Sequence, residues 1–80
     1  MSIDFRTFYE SLAPERREAF AALANTTTGY IETHLVSRRK IPRPALMNRL
    51  GVACAQFGAP FGTAGLVQFF YAGREKDIAA

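Results

Sequence analysis

The sequence predicts a compact all-α bundle of about five short helices. In each candidate segment, apolar residues recur at spacings of three and four, which places them on one helical face. Proline and glycine divide the chain where those spacings stop. The 80 residues suffice for one small domain, and 49% of them are hydrophobic, including seven phenylalanines. A single core is therefore expected, and no segment has a convincing strand pattern.

The first two helices begin at residues that favour helix starts. Asp4 opens a helix predicted over residues 4–12, and Pro14 opens a second helix that ends near Asn25. Each helix has one apolar face that should dock on the rest of the domain. The residues of these faces are Phe5, Phe8 and Leu12 in the first helix, and Phe20, Leu23 and Ala24 in the second.

A third, polar helix is predicted after a tight turn. Asn25 tolerates the left-handed backbone that such a turn needs, and a threonine of the run 26–28 can cap the helix that follows. Residues 29–35 then form roughly two turns. Ile31 points inward, together with either His34 or Leu35. Three β-branched threonines and a glycine disfavour an autonomous helix, so packing must hold it, as in a helix kept for its surface contacts.

Two further helices complete the bundle. Pro44 can begin the fourth, Gly58 is a natural stop for it, and Gly51 within it predicts close packing. Thr63 can cap the fifth, predicted over residues 64–71. The apolar positions of the fourth helix are Leu46, Met47, Leu50, Ala53, Cys54 and Phe57.

The last helix carries more apolar side chains than a monomer of this size buries easily, which predicts a dimer contact. A single folded domain is predicted over residues 1–73, with residues 74–80 as a flexible tail. The predicted interface comprises Phe61, Leu66, Phe69, Phe70 and Tyr71.

Charge is unevenly distributed along the chain. The net charge is +3, but no Asp or Glu occurs between Thr33 and Arg74, a span that holds six basic residues. One face or end of the fold should therefore be positive and suited to a polyanionic partner. A solvated basic loop without a partner is the alternative.

Several functional classes find no support in the sequence. The single Cys54 and single His34 exclude an internal disulfide and the usual Cys/His metal cluster. Cys54 lies on an apolar stripe, where a small core residue is expected rather than a nucleophile. No phosphate-binding glycine loop, signal peptide or membrane-spanning run is visible. We therefore expect a cytoplasmic, non-enzymatic protein without a metal, cofactor or small-molecule ligand.

Residues 16–40 are typical of a helix-turn-helix that places its second helix in the major groove of DNA. Side chains at the start of that helix would reach base edges, and basic residues would hold phosphates. Alternatively, the threonines only cap the helix, and Glu32 forms an exposed ion pair. The predicted DNA contacts are Thr27, Thr28, Gly29, Tyr30, Glu32, Thr33, Ser37, Arg38, Arg39, Lys40 and Arg43.

Residues 22–31, which read A-L-A-N-T-T-T-G-Y-I, and residues 37–42, which read S-R-R-K-I-P, resemble the helix-turn-helix of phage lambda-type Cro and CI repressors. The resemblance implies that residues 27–29 begin the recognition helix and that Glu32 and Thr33 lie on its groove-facing side. Asn25 replaces the usual glycine. His34 stands near a position that is normally aliphatic. Either it is a half-buried core histidine, or the helix is rotated so that Leu35 packs instead. The family's buried anchors correspond to Phe20, Ala21, Ala24 and Ile31.

The resemblance also implies a function. A phage-type regulator would bind a double-stranded DNA operator as a symmetric homodimer, with half-sites about one helical turn apart. It would act in the cytoplasm of a bacterial host, associated with the nucleoid. The alternative is a protein-interaction module, such as an antirepressor or an antitoxin-like partner, that uses the aromatic surface of residues 61–71.

Overall fold

The computed structural model describes the backbone of residues 3–79 and the side chains of residues 3–72. Within residues 3–79 the chain forms five helices and no strand, which confirms the predicted all-α class. The third helix consists of an α-helical turn continued by a π-helical turn. The helices are α1 Phe5–Glu10, α2 Pro14–Leu23, α3 Thr28–Tyr30 with Ile31–Leu35, α4 Pro44–Gln56, and α5 Thr63–Ala79.

Helices α1 and α2 begin at the predicted residues. The Asp4 carboxylate accepts a hydrogen bond from the Thr7 backbone amide at 2.8 Å, so Asp4 is the N-cap of α1. That backbone hydrogen bond is the main cause that lowers the pKa of Asp4. Pro14 is the first residue of α2. Arg17 of α2 then donates to the carbonyl groups of Glu10 and Leu12, both at 2.9 Å, and this joins the end of α1 to α2.

The buried face of α2 differs from the predicted one by a single residue. Phe20 and Ala24 are completely buried, as expected, but Leu23 is 43% exposed. Ala21, which the resemblance places among the buried anchors, is 1% exposed. A small side chain at this position lets the neighbouring helices approach α2 closely.

The turn between α2 and α3 is a Schellman motif. Asn25 has a φ of 58°, the left-handed conformation predicted for it. The Thr26 amide donates to the Ala21 carbonyl at 2.9 Å, and the Asn25 amide donates to the Ala22 carbonyl at 3.0 Å. Helix α3 restarts two residues later, because the Thr27 hydroxyl accepts from the Tyr30 amide at 3.1 Å. This places α3 against α2.

The π-helical turn of α3 decides which side chain enters the core. The Val36 amide donates to the Ile31 carbonyl at 2.8 Å, a bond that spans five residues. Ile31 and Leu35 are both completely buried. His34 is half-buried, with its ring 5.0 Å from that of Tyr30. Leu35 is therefore the residue that packs inward, and His34 lies at the edge of the core.

Close packing of α4 on α5 occurs at Gly51, as predicted. A Cβ atom on Gly51 would run into the Oγ1 atom of Thr63. Gly58, with a φ of 75°, ends α4 in the left-handed conformation that favours glycine. Thr63 is the first residue of α5 rather than its cap, so this helix begins one residue earlier than predicted.

Helix α5 contributes to the core of the single chain, which corrects the predicted dimer interface. Leu66, Phe69 and Phe70 are 0%, 6% and 1% exposed. The Phe5 ring of α1 lies 5.7 Å from that of Phe69 and 5.8 Å from that of Phe70, so α1 covers this face of α5. These three side chains are therefore unavailable to a second copy. Phe61 is half-buried, and Tyr71 is exposed.

Helix α5 also extends beyond its predicted end at Tyr71. Residues 74–79, for which the sequence predicts a tail, continue the helix. That segment contains no proline and is rich in Ala, Arg, Glu and Lys, which have high helix propensity. Across the described part of the chain, every helix is too short or too polar to cross a membrane.

Candidate nucleic-acid interface

The start of α3 presents a small polar surface. Thr27 and Gly29 are exposed, and Thr28 is half-buried. Because the Thr27 hydroxyl acts as an acceptor in the helix cap, its O–H remains able to donate to a ligand. The Thr28 hydroxyl donates to Glu18 of α2 at 3.4 Å. Thr27 is therefore a capping residue, although its hydroxyl can still donate a hydrogen bond to a ligand.

One turn later, α3 exposes Glu32 and Thr33. The Tyr9 hydroxyl donates to the Glu32 carboxylate at 2.9 Å, so this carboxylate is tied to α1. The ion pair predicted as one alternative for Glu32 does not form among the side chains that the structure describes. Burial, and then the hydrogen bond to Glu32, raises the pKa of Tyr9. Tyr9 therefore remains a hydrogen-bond donor at neutral pH.

Tyr30 and His34 form the aromatic flank of α3. Both are half-buried, and their rings pack at an angle of 59°. The Nδ1 atom of His34 is buried and has no hydrogen-bond partner among the described residues. This is the kind of unsatisfied polar atom that folded proteins usually avoid.

The loop after α3 carries the predicted phosphate-binding residues. Its side chains 37–40 are all exposed. The Ser37 hydroxyl donates to the Thr33 carbonyl at 2.7 Å, which fastens the loop to the helix end. Among side chains 3–72, the only ion pair joins Arg6 and Glu10. No described carboxylate therefore pairs with Arg39 or Lys40.

Arg38 differs from its neighbours in the loop. Its guanidinium carbon lies 4.0 Å from the centre of the Phe69 ring, a cation–π contact. Its φ is 60°, a left-handed conformation that is uncommon for arginine. It lines two shallow cavities together with Asp4 and Phe69. Arg38 thus contributes to packing between the loop and α5, a role that the sequence did not suggest.

A shallow cavity of about 370 Å³, the Lys40 cleft, opens beside Tyr30. Three of its lining side chains are cationic, and none is acidic. Arg49 was not among the predicted contacts. The sequence signal that included it was the span without acidic residues, which does not show that Arg49 lies beside Lys40 and Arg43. The lining residues are Tyr30, Lys40, Ile41, Arg43, Ala45, Leu46 and Arg49.

A second cavity, of about 310 Å³, is mainly apolar and lies between α4 and α5. Val67 and Tyr71 on its α5 side are 38% and 46% exposed. Of the predicted interface residues, Tyr71 is the exposed member, and it lines this apolar cavity. The lining residues are Pro42, Pro44, Met47, Asn48, Thr63, Val67 and Tyr71.

Cys54 is completely buried in the core, as expected from its apolar stripe. Burial raises the pKa of its thiol from the ordinary 9.0 to about 12, so the thiolate is scarce at neutral pH. The described residues contain no group of three or more His, Cys, Asp or Glu side chains that could hold a metal ion.

Comparison of the chain with protein-family models, curated proteins and solved structures found no match. The resemblance to lambda-type repressors therefore stays a prediction from residues 22–31 and 37–42.

Proposed function

We propose that the protein binds double-stranded DNA, with the start of α3 in the major groove and the loop of residues 37–43 along the phosphate backbone. The observation that carries this proposal is that an exposed polar helix start and a basic cleft share one helix. An exposed polar helix start, formed by Thr27 and Gly29, belongs to the same helix as Tyr30, which lines a cleft with Lys40 and Arg43. Helix starts of this kind read base edges when flanking basic residues fix the position of the helix.

We propose different roles for the individual predicted DNA contacts. Thr27 and Thr33 are the exposed residues whose side chains are best suited to reach bases, and Gly29 between them allows a close approach of the backbone. Glu32 is the residue least suited to lie next to a phosphate, because its carboxylate would repel it. Its hydrogen bond with Tyr9 keeps that carboxylate at the α1 side of α3. Glu32 would then accept from cytosine N4 only through its second oxygen.

Binding as a symmetric homodimer belongs to the same proposal. Four basic residues per subunit are available for phosphates: Arg39, Lys40, Arg43 and Arg49. A dimer would then make about eight phosphate contacts, and its affinity would fall by roughly three to five orders of magnitude between about 50 and 200 mM salt. The regulatory role, in which the dimer occupies an operator, follows from the same binding mode.

A gel-shift assay on DNA upstream of the protein's own gene tests the proposal. The informative variant is the double substitution of Arg39→Ala with Lys40→Ala. Neither residue has a described carboxylate partner, whereas Arg38 packs on Phe69 and its loss would disturb the fold. The control is Arg6→Ala with Arg16→Ala, which removes equal charge from α1 and α2. It also removes the exposed Arg6–Glu10 ion pair and the contact of Arg16 with Phe57, so the folding of this variant is checked by circular dichroism.

We expect wild type and control to shift the DNA at low salt and the loop variant to bind at least roughly tenfold more weakly. The absence of a shift with any upstream fragment at low salt would exclude the proposed function. Equal weakening by the loop variant and the control would show that net charge, and not the loop, determines binding.

A protein-interaction module is the second candidate function. It is favoured by the apolar cavity between α4 and α5, where Val67 and Tyr71 remain exposed. An antirepressor or antitoxin-like role would use this surface. The two candidates are compatible, because the cavity and the Lys40 cleft have no lining residue in common.

A further inference from the structure

We infer that the Lys40 cleft is a binding site for a single phosphate group, and that in the proposed DNA complex it holds one backbone phosphate beside α3. The identity of the phosphate as part of DNA rests on the proposed function. The site itself rests on the geometry of the cleft alone. It assigns a ligand-binding role to Arg49 in addition to the predicted Lys40 and Arg43.

The charge of the cleft selects an anion. Lys40, Arg43 and Arg49 line it, and no Asp or Glu does. Lys40 and Arg43 are exposed, so both can move toward a ligand without disrupting the core. A phosphate group offers acceptor oxygens to all three side chains at once, and charge-assisted hydrogen bonds of this type are the stronger ones in proteins.

Arg49 gives the cleft a fixed wall. Its Nε atom donates to the Ala24 carbonyl at 3.0 Å, and its side chain is half-buried. No described residue accepts a hydrogen bond from its terminal Nη atoms. A guanidinium held by one edge keeps a defined plane, and less side-chain entropy is then lost when an anion binds.

The same hydrogen bond connects the cleft to the turn between α2 and α3. Ala24 immediately precedes Asn25, the left-handed residue of that turn. Tyr30 belongs to α3 and also lines the cleft. A phosphate in the cleft would therefore contact both α4 and α3, and it would fix the position of α3 relative to the DNA backbone.

The first test uses inorganic phosphate as the probe. Amide chemical shifts of the full chain are followed by NMR during a phosphate titration, with chloride adjusted to keep the ionic strength constant. The variants are Lys40→Gln and Arg43→Gln, both at exposed positions. The control Arg16→Gln removes the same charge at the far end of α2, where Arg16 packs over Phe57.

We expect saturable shifts of amides around Tyr30 and residues 40–49, with binding roughly fivefold weaker in each cleft variant and unchanged in the control. Shifts that grow linearly without saturation, or cleft variants that titrate like Arg16→Gln, would overturn the inference. Because both variants leave Arg49 and its hydrogen bond intact, the result does not depend on a destabilised turn.

The second test measures binding of a duplex of about 20 base pairs by fluorescence anisotropy at several salt concentrations. Because the proposed dimer has two clefts, each cleft variant removes two phosphate contacts and should lower the slope of log affinity against log salt by about 1.8. If both variants bind the duplex as the control does, the cleft does not hold a DNA phosphate, and the proposed function still stands. Saturable phosphate binding without any duplex binding would support the cleft and exclude the proposed function.

Discussion

Asn25 and Arg38, on either side of α3, both have left-handed backbone, with φ of 58° and 60°. This conformation costs a non-glycine residue about 1–2 kcal/mol, somewhat less for Asn. At Asn25 the two hydrogen bonds of the Schellman motif offset the cost. At Arg38 the contact with the Phe69 ring contributes about 0.5–1 kcal/mol. The chain therefore turns sharply before and after α3, and contacts with other helices stabilise both turns.

His34 also lowers the stability of the fold, and the first prediction concerns its replacement. The substitution His34→Phe keeps an aromatic ring against Tyr30 and eliminates the buried Nδ1 atom that has no described partner. An unsatisfied buried polar atom costs about 1–3 kcal/mol, so we expect the free energy of unfolding to rise by roughly 1 kcal/mol. Urea denaturation at neutral pH measures it. The exposed neighbour variant Thr33→Ala should change stability by less than about 0.5 kcal/mol. A destabilised His34→Phe protein would contradict this prediction.

At the scale of helices, the contact between α4 and α5 depends on one glycine. Gly51 lies in the middle of α4, where alanine would increase helix stability by about 1 kcal/mol. The new methyl group would run into Thr63 Oγ1, and overpacking of this kind costs about 1–3 kcal/mol. The second effect is the larger one while Thr63 is present.

The second prediction follows as a double-mutant cycle. Gly51→Ala alone should destabilise the protein by roughly 1 kcal/mol. In the Thr63→Ala background, where the nearest remaining atom is the Cβ of residue 63 at 3.4 Å, the same change should be neutral or stabilising. Thr63→Ala alone is the control, with an effect below about 0.5 kcal/mol because Thr63 is exposed. Additive effects in urea unfolding would contradict the contact.

Helix starts and stops were largely predictable because they depend on local chemistry. Asp4, Pro14 and Gly58 each act within one turn of their own position. The inward side chain of α3 was not predictable, since a π-helical turn changes the spacing on which periodicity depends. The extent of α5 was also missed, because polar residues after Tyr71 gave no apolar face to follow.

At the scale of the whole molecule, the sequence left the packing partner of α5 open. Phe69 and Phe70 are buried because α1 folds back and sets Phe5 against both rings. Contacts between segments so far apart in sequence leave no periodic signal. In the candidate interface, the basic loop could be predicted from its run of charge. The position of Arg49 in the cleft and the packing of Arg38 on Phe69 could not be predicted, because both depend on the fold.

Two buried groups predict how stability depends on pH. Burial raises the folded-state pKa of Cys54 from 9.0 and of Tyr9 from 10.0. A raised pKa means that stability is complete below the unfolded-state value and is lost as pH rises above it. Unfolding should therefore become easier from about pH 9, with up to about 1.4 kcal/mol lost per pH unit for each group.

Urea midpoints measured between about pH 8 and 11 test this third prediction. Cys54→Ala should delay the onset of the loss to about pH 10, and Tyr9→Phe should reduce the slope above that pH. The control is Tyr71→Phe, which removes an exposed phenol and should follow the wild-type curve. If Cys54→Ala and Tyr9→Phe also followed that curve, the alkaline loss would come from other groups.

The last prediction concerns assembly. It compares a buried residue with an exposed residue of the same helix, α5. Phe70 is 1% exposed and Tyr71 is 46% exposed, although they are neighbours in sequence. Phe70→Asp would bury a charge without a partner, at a cost of several kcal/mol that approaches the whole stability of a small domain. We expect this variant to lose its helical circular dichroism. Tyr71→Asp should keep the fold, because surface substitutions usually change stability by less than about 0.5 kcal/mol.

The proposed homodimer can then be tested without unfolding the chain. If the Val67 and Tyr71 surface forms the dimer contact, Tyr71→Asp should shift the wild-type dimer to monomer in light scattering and weaken DNA binding with it. Gln68→Asp, at an exposed position of the same helix outside the apolar cavity, is the matched control. A folded Tyr71→Asp protein that remains dimeric would place the contact elsewhere. A monomeric wild type that binds DNA tightly would show that one copy of α3 is sufficient.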